Sequence, residues 1–133
     1  MDESRTLEQA VARVRSLVEE TADEVLPGLP RTPKPYNEDP RPCFDAVGAE
    51  TEETQTQWGV EIGLDPDADA SAIIRRTSEY WTSKGYPVND NHARGDPPAL
   101  FLQEEGYSYQ MLVNTEAGAA FLGGNTPCFP PLA

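Results

Sequence analysis

The stretch from Trp58 to Pro87 limits what this chain can fold into more than any other. Its first part, QWGVEIGL, alternates, with Trp58, Val60, Ile62 and Leu64 on one side and Gln57, Gly59, Glu61 and Gly63 on the other. A period of two is the mark of a strand with one buried face. The part that follows, DPDADASAIIRRTSEYWTSKG, changes to helical spacing, with Ala70, Ile73, Ile74, Thr77 and Trp81 on one stripe. The acidic run Asp65, Asp67, Asp69 stands where a helix start favours negative charge, and Gly85 stands where a helix ends. Strand and helix both have an apolar face to bury, most simply against each other.

The preceding residues repeat the helical pattern. Leu7, Ala10, Val11, Val14, Leu17, Val18, Ala22 and Val25 fall at i, i+3, i+4, i+7 spacing, and Thr6 with Gln9 fits a capping box. The spacing predicts a helix from about Leu7 to Leu26, stopped by Pro27 and Gly28. The chain thus opens with an amphipathic helix over 1–26. Residues 27–42, PGLPRTPKPYNEDPRP, read as an extended, polyproline-like connector, because proline removes an amide donor and fixes φ. Residues 43–133 form the α+β body, and the whole is one domain.

In that body Gly48 to Gln55 reads as a strand lead-in or a loop, and Tyr86-Pro87-Val88 as the start of a second strand. Asn89 to Pro98 is a turn-rich loop. Ala99 to Gln103 is a short apolar strand, Glu105-Gly106 a hairpin turn, and Tyr107, Tyr109, Met111 and Val113 alternate along the next strand. Ala119 to Leu122 is the last. Short strands joined by short turns favour an antiparallel meander. The expected fold is α+β, with four or five antiparallel strands and both helices on one face. The tyrosine row is expected to pack against the helices.

The net charge of −13 makes a surface that repels phosphate backbones and anionic headgroups, so nucleic acid is not an expected partner. The same charge permits a basic protein partner.

Cys43 and Cys128 are the two cysteines, in the similar settings RPCFDA and TPCFPP. Two readings stay open on the residues alone. A disulfide would tie the tail of the last strand to the entry of the body, worth roughly 4–5 kcal/mol on the chain-entropy model, and would place the protein in an oxidising compartment. Two buried thiols would fit a cytoplasmic protein. A zinc site is not expected, because His92 is the single histidine.

Taken in order, the N-terminal helix, the Pro-containing segment, the first cysteine, W-x-x-x-G-Y at Trp81 to Tyr86, E-G-Y-x-Y at Glu105 to Tyr109 and G-x-x-P-C-F at Gly124 to Phe129 resemble the small actinobacterial cell-envelope lipoproteins of the mycobacterial LppA type. The resemblance runs from about Leu7 to Phe129. It implies an exported, lipid-anchored α+β domain with one disulfide, Cys43–Cys128, and no assigned reaction, so no catalytic residue carries over. The lipobox cysteine and signal peptide of that family do not occur in this sequence; the native form is expected to carry them ahead of Met1.

No constellation for chemistry stands out. His92 in NDNHARGD has Asp90 and Asp96 near it, but no nucleophile in a recognisable turn. Asp65-x-Asp67-x-Asp69 opens like a calcium loop, but Ala70 and Arg76 take the positions of its glycine and glutamate. Gly123-Gly124 precedes no helix and lacks the phosphate-loop lysine. Arg75-Arg76 reads as a solvated pair within reach of Glu79. No two of the many carboxylates are singled out as a glycosidase pair.

The expected function is therefore a non-catalytic, extracytoplasmic binding or interaction module, with no cofactor and no metal. Its partner would be an envelope protein or a small ligand, and a lipid anchor would be its one contact with the membrane. The alternative is a soluble, cytoplasmic acidic inhibitor or immunity-type protein that binds a basic partner.

Overall fold

The computed structural model describes residues 7–34, 37 and 40–129. The chain forms α1 (Leu7–Val25), β1 (Arg31–Pro33), β2 (Pro40–Phe44), β3 (Glu50–Gly63), α2 (Ala70–Ser83), β4 (Val88–Asn89), β5 (Ala99–Glu104), β6 (Tyr107–Asn114) and β7 (Ala119–Asn125). It is an α+β domain whose sheet has, among the described residues, seven strands rather than four or five. The order is β1-β3-β7-β6-β5-β4, with β2 also on β3, and every neighbouring pair is antiparallel. The extra strands are the short ones at the margins. Proline-rich or two residues long, they have no alternation to read, and they exist because β3 and β5 offer free edges.

The segment read as a connector is extended, but two pieces of it pair with the outer edge of β3. Proline is tolerated on a sheet edge, where its missing amide interrupts no ladder on the outer side. Between the two pieces the Asn37 amide takes the place of a strand: its Nδ2 donates to the Gly59 carbonyl at 2.9 Å and its Oδ1 accepts from the Gly59 amide at 2.8 Å. The capping box expected at Thr6 lies outside the described residues.

Pairing of α2 with β3 is a second correction. α1 packs across β3 and β7, while α2 packs on β6, β5 and β4 and against α1. The chain leaves β3 and returns as β4 at the far edge, with β7, β6 and β5 inserted between. The crossover carries α2 away from its own strand. Both helices lie on one face, as the sequence predicts, and their buried stripes are the expected ones, except that Leu7 and Ala70 are half-buried and Thr21 joins the α1 stripe. Asp69 caps α2, its Oδ1 accepting from the Ala72 amide at 3.2 Å, and Gly85 follows the helix with φ +84°. The indole N–H of fully buried Trp81 donates to Thr21 Oγ1 of α1 at 2.9 Å. That bond satisfies both polar groups inside the helix–helix contact.

The helix-facing rows of the sheet hold the core: Trp58, Val60 and Ile62 of β3, Leu122 and Ala120 of β7, Tyr109, Met111 and Val113 of β6, Leu100 and Leu102 of β5. Tyr107 and Tyr109 are buried there, and the Arg13 guanidinium of α1 lies 4.4 Å from the Tyr107 ring centre. Arg13 also bonds Glu105, which occupies the β5–β6 turn with φ +52°, followed by Gly106 at +86°. Two consecutive positive φ values give a turn whose twist matches the strands.

Cys43 and Cys128 form a disulfide, with 6.3 Å between their Cα atoms. It joins β2 to the tail that follows β7. The tail is held independently: Thr54 and buried Phe129 exchange two backbone hydrogen bonds of 2.9 and 2.8 Å.

Candidate functional site

With both helices on one face, the other face of the sheet has no layer over it among the described residues. Alternation decides which side chains stand there. Gln57 of β3, Ser108 and Gln110 of β6, Phe121 and Gly123 of β7 and Phe101 of β5 are the positions between the core rows. Register then brings them together. Gln57, Asn125 and Ser108 form one row across three strands, and Gly59, Gly123, Gln110 and Phe101 form the next across four.

Two glycines side by side in that second row leave a hollow in the middle of the sheet. A Cβ on Gly123 would come within 3.1 Å of the Gly59 Cα and the Trp58 carbonyl oxygen, so a larger residue would need the strands to give by a few tenths of an ångström. The hollow holds about 100 Å³ and is walled by Phe101, Gln110, Phe121, Lys34, Gln57 and Asn125. The Lys34 ammonium sits 4.6 Å from the Phe121 ring centre. Lys34 is the one charged side chain among the described residues that line the hollow; Glu61, opposite Phe121 in the register, stands at its margin. On the far side of Phe101 a second recess is lined by Asn89, His92 and Gln103, with Phe101 shared between the two.

His92 is exposed in the β4–β5 loop, and its ring meets Phe101 edge-on at 5.4 Å. Asp69 is engaged as a helix cap, and Asp65 accepts the Ala68 amide through its carbonyl in the turn before α2. Among the described residues no group of three or more His, Cys, Asp or Glu stands close enough to hold a metal ion. Gly123 and Gly124 belong to a strand, and each serves a different face. Gly123 floors the hollow; Gly124 leaves room for the Tyr109 ring on the core side. Burial pushes the Tyr109 phenol well above the usual tyrosine range. Arg75 and Arg76 are exposed on α2.

The groove has no local signature in the sequence, because each strand contributes one or two unremarkable residues. The one available signal was the paired glycines at 59 and 123, and only the register shows that they touch.

In three dimensions the chain is similar to the crystal structure of LppA from Mycobacterium tuberculosis, a candidate lipoprotein. The two share 19% identity and a TM-score of 0.52, over 95% of this chain and 79% of that one. The likeness is one of fold. No protein-family model and no curated protein matches the chain.

Proposed function

We propose that this protein is a non-catalytic binding module that works outside the cytoplasm, on the cell envelope, and presents the open face of its sheet to a partner. The observation that carries the reading is the groove itself, a recess of aromatic and amide side chains on the face that the helices leave bare. Support for the compartment comes from the Cys43–Cys128 disulfide, since such bonds persist where thiols are not kept reduced. The fold shared with a candidate lipoprotein agrees with it. A lipid anchor ahead of Met1 belongs to the same proposal.

The test places a photo-crosslinking amino acid in the living cell at exposed Gln110, in the groove, or at exposed Glu79, on the outer side of α2. Adducts from position 110 and none from 79 are the expected result. Equal labelling at both, or none at either, overturns the reading.

A further inference from the structure

We infer that the groove binds a neutral saccharide. This rests on the binding role proposed above and names its ligand class. The argument is one of elimination followed by fit. An anionic polymer is repelled by a chain of net charge −13. A metal cation finds no cage here, because among the described residues no group of three or more His, Cys, Asp or Glu stands close enough to hold one, and Lys34 lines the hollow. A purely apolar ligand would strip water from the amides of Gln57, Gln110 and Asn125 without replacing their hydrogen bonds. An uncharged molecule with many hydroxyl groups and an apolar ring face suits that lining.

The lining meets that description from both sides. Each amide offers two donors and one acceptor group, and a hydroxyl offers one donor and two lone pairs, so the two sets complement each other in several orientations. Asn125 Nδ2 already donates to the Ser108 hydroxyl oxygen at 3.2 Å, which fixes both side chains and leaves the Asn125 carbonyl oxygen and the Ser108 proton directed elsewhere. The ring face of Phe101, and the face of Phe121 that Lys34 does not cover, carry negative quadrupole charge, which attracts the polarised C–H groups of a sugar ring. Two strand spacings and two residue rises put their Cα positions about 12 Å apart. Gly123 stands at the corner between them, two strands from Phe101 and two residues from Phe121, and leaves the sheet surface open there. A hexose ring lying over Gly123 would have Phe121 on one side along the strand, the Gln57–Asn125 row on the other, and Gln110 with Phe101 beyond it across the row.

The experiment is an NMR titration of the isotope-labelled, disulfide-bonded domain with cellotetraose, maltotetraose, mannotetraose and tetra-N-acetylchitotetraose, with an oligogalacturonate as the charged comparator. Saturable shifts with at least one neutral oligosaccharide at millimolar concentration are expected, centred on Phe101, Gln110, Gly123 and Asn125. Phe101→Ala should weaken that binding about threefold to tenfold. Gln110→Ala, at an exposed position that cannot unfold the domain by leaving a cavity, should weaken it severalfold. Absence of shifts with every neutral probe overturns the inference, as does binding to the oligogalacturonate alone, shifts confined to the helices, or unchanged affinity in Gln110→Ala. Crosslinks from position 110 to a protein, with no saccharide response, would reject the saccharide and leave the binding role standing. Silence in both experiments would remove both.

Discussion

Removing the disulfide should destabilise the domain mainly through the unfolded chain. The bond closes a loop of 85 residues. The chain-entropy model gives about 15 cal/mol/K for that length, or about 4.6 kcal/mol at room temperature. The folded state loses less, because Phe129 stays buried and its two backbone bonds to Thr54 do not depend on sulfur. Cys43→Ala/Cys128→Ala is the variant of choice, since Cys43 is buried and serine would bury a hydroxyl. With a urea slope of about 2 kcal/mol/M, the midpoint should fall by about 2 M, and the slope should rise as the unlinked chain expands. Urea melts followed by tryptophan fluorescence, with and without reductant, measure both quantities, and mass spectrometry confirms the thiol state. Amide exchange at Thr54 and Phe129 in the reduced protein adds the local reading. A midpoint loss under about 0.5 M would refute the reasoning. So would exchange that accelerates at those two amides alone, because the bond would then act only as a clamp on the tail.

Two further outcomes test the core. Gly124→Ala should cost about 1–3 kcal/mol by overpacking, because the new Cβ would lie 2.5 Å from the ring of buried Tyr109 and 2.9 Å from the Ser108 carbonyl oxygen; a thermal melt compares it with wild type. The Tyr109 phenol has its pKa raised by burial from the ordinary 10.0. Above its ordinary value the unfolded chain releases a proton that the folded chain keeps, so the contribution of this group to stability is constant below about pH 10 and falls as the pH rises above it. Tyrosinate absorbance should rise together with loss of tryptophan burial; ionisation of Tyr109 in a still-folded protein would contradict the assignment.

Elements with a local period were legible in the amino-acid sequence. α1, α2, the core half of β3 and the β5–β6 hairpin each carry their own pattern of apolar spacing, cap or turn, and none needs a distant partner to be recognised. The cysteine pair narrowed to two readings in the same way. The margins were not legible: β1, β2 and β4 are two to five residues long and become strands only because an edge is waiting.

The candidate site belongs to the same category. Phe101 and Gln110 meet across one ladder and Gln110 and Gly123 across the next, and Gly123 lies beside Gly59 across a third. Sequence spacing determined which side of each strand those residues occupy. The order and register of the strands decided that they share one hollow, because pairing between segments far apart in the chain is set by how the whole sheet buries its other face under two helices.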